Sequence, residues 1–467
     1  MPVNFYGLSV YRQFYIQMIY VFIFMIPFLV VPTLAQQNSQ QCITNYNAQT
    51  DYFPAKVQVD TATLFSVNYF HNYKLVSNKR TNETFALYQC GTPVPANLPN
   101  GTKIFSVPVR RVATLATTSN TFLEELGVGS DIVALDVEQF VSSPCLQKGL
   151  NNGTIAQVSS TNTTAMTQTL AQVDVVFGSD TATSSNNTVS DSEVEDPGTL
   201  NRAEWVEFYS TWFNLEDVAN NISAKINNNY NCLRRAANNI TGTKPLVAWV
   251  SYDAPASYNN NTPSWSISTA TYKQQFTTDA GATFLAPSNA YFLSSKDFLT
   301  AIQNVDVIID ETYIAASLSD VLGNFGISNT TASSYKFVAN KAIYREDGVQ
   351  TVAGGDDWFE SAVAFDDAVL ADVIAAAHPG YPSAAYTRIW LRNIAEGEPI
   401  KYYTAANCTG SEATPRADPA FVCTGNFAVA SQPSSTPSGS GSGALAISVL
   451  NALIVAVVAI VTTTFIA

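Results

Sequence analysis

The chain has 467 residues, 46% of them hydrophobic, and its 37 acidic and 23 basic residues give a net charge of −14. That balance excludes nucleic acid, which needs clustered Lys and Arg, and electrostatic docking on anionic lipid. With only 2 histidines, a His-rich zinc or manganese site and histidine-ligated haem are also disfavoured.

Residues 1–35 read as a signal peptide. Arg12 precedes an apolar run from Ile19, and the small residues Thr33 and Ala35 suit cleavage before Gln36. Residues 36–103 read as a small β-rich extension, with short aromatic runs at 63–69, 73–76 and 85–90 separated by polar turns. From 104 to 212 strand and helix alternate. Strands fall at 111–116, 131–136 and 173–177, with helices after Ser119 and at 166–170. Continuous apolar strands with helical crossovers imply a parallel α/β lobe.

Leu215, Val218, Ile222, Ile226, Tyr230 and Leu233 recur three or four apart, so 213–241 is expected to be one long helix. The alternation then restarts over 242–400, with strands at 246–250 and 305–309 and helices at 271–280 and 362–377. Val173-Asp174-Val175 recurs as Val305-Asp306-Val307 at the same stage of the second series. Two similar α/β lobes joined by one backbone helix are therefore expected.

The end of the chain carries a second address. Residues 401–430 read as a disulfide-closed tail and 431–443 as a flexible Ser/Pro/Thr/Gly stalk. Residues 444–467 are apolar, with no Lys or Arg beyond them. They form either a glycosylphosphatidylinositol signal, with attachment among Ser434, Ser435, Ser438 and Gly439, or a single-pass anchor. Secretion also fits the Asn-x-Ser/Thr acceptors at Asn82, Asn100, Asn152, Asn162, Asn186, Asn221, Asn239, Asn260, Asn329 and Asn407. Cys42, Cys90, Cys145, Cys232, Cys408 and Cys423 suit three disulfides whose pairing sequence alone leaves open. Cys408 with Cys423 is the easiest closure, and Cys42 with Cys90 is next.

The stretch from Arg111 to Asp136, with its strand, Ser/Thr-capped helix, Leu-Gly turn and second strand, resembles the opening of the solute-binding proteins of iron-siderophore, haem and cobalamin uptake. Val173-Asp174 and Val305-Asp306 resemble that family's paired "Pro-Asp-Leu-Val" strands, and Ala377-His378-Pro379-Gly380 its "Leu-His-Pro-Glu". Valine replaces the proline twice, and Gly380 replaces the acid. The resemblance covers about residues 104–395, and the whole chain resembles algal surface proteins linked to siderophore-iron uptake. It implies two Rossmann-like lobes on a single helix, a small organic ligand or ferric siderophore between them, no resident cofactor, and a membrane transporter or reductase as partner.

Ligands of open α/β lobes bind outside the carboxyl ends of the strands. The residues following each strand are therefore the candidates: Thr117, Thr118 and Ser119; Asp136 and Glu138; Ser179 and Asp180; Tyr252, Asp253 and Trp265; Glu311, Thr312 and Tyr313; Asp356, Asp357 and Trp358. The threonines and Ser119 are also expected to cap the following helix. An acidic rim would prefer a neutral hydroxamate chelate to an anionic catecholate. No GxSxG, HExxH, GxxxxGK or GxGxxG is present, and neighbouring acids such as Asp310 and Glu311 on a strand point to opposite faces. A non-enzymatic role is expected. A surface recognition or adhesion protein that keeps the fold is the alternative.

Overall fold

The computed structural model describes residues 37–136, 138–178, 185–313 and 317–427. The expected signal peptide, stalk and C-terminal anchor lie outside the described residues, as do Ser179 and Asp180. Among the described residues no helix is long and apolar enough to cross a membrane.

Strands β1 (Phe65–Tyr69), β2 (Tyr73–Asn78), β3 (Glu83–Gln89) and β4 (Lys103–Val107) form a sheet in that order. The first three strands are antiparallel, while β4 runs parallel to β3. Alternation points Lys74, Val76 and Asn78 of β2 inward. The sheet reaches past residue 103, because Phe105 and Val107 of β4 are needed to close its buried face. It is no appendage: Phe65 and Phe85 pack edge-on against Trp205 and Trp212, at 5.1 and 5.6 Å between ring centroids.

The first lobe has β5 (Val112–Thr114) at its centre, followed by helix α1 (Thr118–Glu125). Then come β6 (Ile132–Leu135), α2 (Pro144–Asn152), β7 (Ala156–Gln157), α3 (Thr163–Leu170), β8 (Val175–Phe177) and β9 (Thr188–Val189). All five strands are parallel, in the order β7-β6-β5-β8-β9. Short helices α4 (Thr199–Ala203) and α5 (Trp205–Ser210) lead to the connecting helix α6 (Glu216–Asn238).

Helix α6 has 23 residues and so spans roughly 35 Å. Its buried stripe is Ala219, Ser223, Ile226, Tyr230, Leu233 and Ala237; the expected Leu215, Val218 and Ile222 are only half-buried. The stripe shifts because the helix serves two cores: Ala219 belongs to the first lobe's, Tyr230 and Leu233 to the second's.

The second lobe comprises β10 (Leu246–Asp253), β11 (Ser264–Ile267), α7 (Thr271–Asp279), β12 (Thr283–Phe284), β13 (Tyr291–Phe292), α8 (Ser295–Ile302), β14 (Val307–Asp310) and α9 (Leu318–Phe325). It continues with α10 (Lys336–Ala339), β15 (Ile343–Arg345), β16 (Val349–Thr351), α11 (Asp357–Ser361), α12 (Asp366–Ala377), β17 (Arg392–Asn393) and β18 (Lys401–Tyr403). Strands β12, β10, β14 and β15 are parallel. Strand β11 is antiparallel to β10, β13 to β11 and β17 to β15, so this sheet is mixed rather than wholly parallel. Helix α12 is buried on every side, as a helix sandwiched within a core must be.

The expected Cys408–Cys423 closure is wrong. The bridges are Cys42–Cys90, Cys145–Cys408 and Cys232–Cys423. A short loop is the easiest closure for a free chain, but here the tail runs across the molecule and delivers its two cysteines to different elements.

Candidate functional site

The lobes meet where α1, which follows β5 of the first lobe, packs on α11 of the second. Asn120 of α1 donates from Nδ2 to Glu360 Oε1 of α11 (3.3 Å), and Thr121 Oγ1 donates to the Glu360 backbone carbonyl (3.1 Å). The Ser142 hydroxyl lies between Glu360 Oε2, at 2.7 Å, and Asp357. Thr351 Oγ1 donates to the Gln139 carbonyl (2.8 Å), and the Ala203 amide to Asp366 Oδ2 (3.2 Å). Burial pushes Glu360 up to about 7, against the pull of Arg416 and Ser142. Asp357 is held below the usual range, against its burial, by Arg416 and by hydrogen bonds from Ser142, Ser361 and Trp390.

A recess of 220 Å³ remains beside this seam, lined by Val194, Arg202, Tyr272, Phe276, Trp358, Phe359 and Asp366 among others. The Arg202 guanidinium stacks over the Tyr272 ring at 3.7 Å. Burial pushes Asp366 well above the usual carboxylate range, with Arg202 opposing. Adjacent, Lys273 pairs with Glu311 and faces the Trp249 ring at 5.5 Å. Glu346 is buried with Oε1 unpartnered, and burial together with Glu311 raises its pKa strongly. The second lobe thus presents aromatic faces and a compact set of charges to its partner.

Of the residues expected from sequence, Asp357 and Trp358 lie at the seam and recess. Thr118 is half-buried, and the Ser119 hydroxyl donates to the Ala116 carbonyl (3.0 Å). Thr117 occupies the N-cap position of α1 without a side-chain cap bond, because its backbone is already helical. Asp136 is half-buried beyond β6 and Glu138 exposed. Trp265 is part of a different core: it donates to the Asn324 carbonyl, stacks on Phe298, and takes Tyr252 with it to the sheet's far face. Asp253 is exposed, and Tyr313 is 73% exposed. Thr312 is buried and donates to Asp310, and Asp356 accepts from Gln350. Arg202, Tyr272, Glu360, Asp366 and Arg416 escaped sequence reasoning, since none directly follows a sheet strand; the scarcity of arginine is the signal that could have drawn attention to two of them.

The class this geometry defines is a two-lobed α/β fold on a single connecting helix. No family model and no curated protein matches the sequence. Among solved structures, the chain is similar to a periplasmic heme-binding protein from Pseudomonas aeruginosa at 12% identity, covering 61% of this chain and 97% of that one, with a TM-score of 0.43. It is similar to Ceue from Helicobacter pylori with Ni(II) bound at 12% identity, covering 59% and 85%, with a TM-score of 0.42. For the siderophore-binding protein BauB, bound to acinetobactin and ferric iron, the values are 14%, 62%, 99% and 0.44. The two-lobe assignment itself rests on the strand order and connecting helix of this chain.

Proposed function

We propose that this chain is an extracellular binding protein, tethered to a membrane by its C-terminal segment, that takes a small organic ligand between its lobes for uptake. One observation carries the reading: a recess between helical segments of the two lobes, walled by Tyr272, Phe276, Trp358 and Phe359 with Arg202 and Asp366 as polar anchors. Ligand sites commonly combine apolar walls with few polar groups in this way. At 220 Å³ the recess is smaller than the roughly 300–1,000 Å³ of most such sites. A molecule smaller than a ferric siderophore fits it as it stands, and a siderophore needs the lobes to part. Secretion is supported by all ten acceptor asparagines being exposed, as glycan attachment requires.

The test is fluorescence titration of the purified chain with small aromatic carboxylates, ferric hydroxamates, ferric catecholates, haem and cobalamin. Saturable quenching by at least one is expected, because Trp358 lines the recess and Trp249 lies 6.1 Å from it. No saturable response to any of them would remove the reading. The alternative, a surface recognition or adhesion protein, draws support from the seam itself, which Asn120, Thr121, Ser142 and Glu360 fill with the protein's own side chains.

A further inference from the structure

We infer that residues 401–427 are an interlobe strap that holds the two lobes closed. Its course touches every part a hinge motion would separate. Strand β18 pairs with β16 of the second lobe. Five residues after that strand, Cys408 is bridged to Cys145 on α2 of the first lobe. The chain then lies directly on the turn after α1. A Cβ on Gly129 would stand 2.4 Å from the Glu412 carbonyl oxygen, so this approach is open only to glycine there.

Arg416 follows as a wedge. Its amide donates to the Glu124 carbonyl (2.9 Å), and its guanidinium donates to Thr121 of the first lobe (3.1 Å) and Asp357 of the second (3.2 Å). Its side chain is 18% exposed, and a planar fork is the group suited to bind acceptors on two surfaces at once. Beyond it, Asn229 of α6 accepts from the Cys423 amide (2.8 Å), and Cys423 is bridged to Cys232. Phe427 then packs on Tyr381 of the second lobe.

Opening the lobes about α6 therefore requires breaking the Arg416 fork, and stretches the four-residue link (404–407) between β18 and Cys408. A closed state stabilised this way is the dominant population, and only a ligand with enough differential affinity for an open state would shift it. The strap follows from the fold and does not depend on which ligand, if any, the recess takes.

Hydrogen exchange on the intact, disulfide-bonded chain tests it. The Ser142 amide donates across the seam to Glu360, so peptides over residues 141–143 report lobe separation, and peptides over 112–114 in β5 report the core. Arg416→Gln, and separately a Cys145→Ser/Cys408→Ser pair, are expected to accelerate seam exchange on the order of tenfold while β5 stays protected. Arg416→Gln keeps all three bridges, and it decides the matter where the cysteine pair loses core protection. Seam exchange unchanged from wild type in a variant with an intact core would overturn the strap.

Discussion

Lys74 and Glu216 are each fully buried and paired, with the Lys74 ammonium also held by the Thr211 carbonyl and Asn214. The pair ties the N-terminal sheet to the first turn of α6. Removing one partner strands the other charge without water, so Lys74→Ala is expected to cost about 3–5 kcal/mol in urea denaturation. Other buried acids respond to pH. Burial pushes Glu360 and Asp367 up to about 7 and Glu207 up to about 8. These groups bind protons more tightly folded than unfolded, so they favour the fold most at low pH. Their support is lost as pH rises from about 4.5 through 7 to 8. His378, lowered by burial, works in the opposite sense but is a single group. Melting is therefore expected several degrees higher at pH 5.5 than at pH 7.5, and a higher melting temperature at pH 7.5 would contradict these assignments. None of this could be read from the sequence, because burial of an acid is decided by what packs over it.

Among the elements, those with strong local periodicity were legible. The strands around Val112, Ile132, Val175, Leu246 and Val307 and the helices at α6, α7 and α12 fall where the apolar pattern places them. What escaped were elements whose pattern is set by distant partners. Helix α5 is buried at all six residues because it is enclosed by the N-terminal sheet and the first lobe, and the edge strands β13 and β17, two residues each, are too short to alternate. Trp265 and Trp358 look alike in sequence, yet one faces each side of the second sheet. The fusion of sheet and lobe can be tested through Phe208, which touches Phe65, Phe85, Trp205 and Trp212. Phe208→Ala is expected to cost about 3–5 kcal/mol, with sheet and lobe still melting in one calorimetric transition. Two separated transitions would show the sheet to be an independent unit.

Across the whole molecule, the two-lobe plan was readable because each lobe repeats one local logic, strand then helix. The site was readable only in part. Strand ends gave Asp357 and Trp358, but Arg202 and Arg416 reach the seam from segments that belong to no sheet. The Cys145–Cys408 bridge closes a sequence separation of 263 residues, a pairing that no spacing rule would select. We propose that the recess beside that seam holds a small ligand through Arg202 and its aromatic walls. Native mass spectrometry of the purified chain, wild type beside Arg202→Ala, tests this most directly. The wild type should carry one small molecule per chain, and the variant should be empty. A wild type with nothing bound, or a variant that keeps the same molecule, would contradict it.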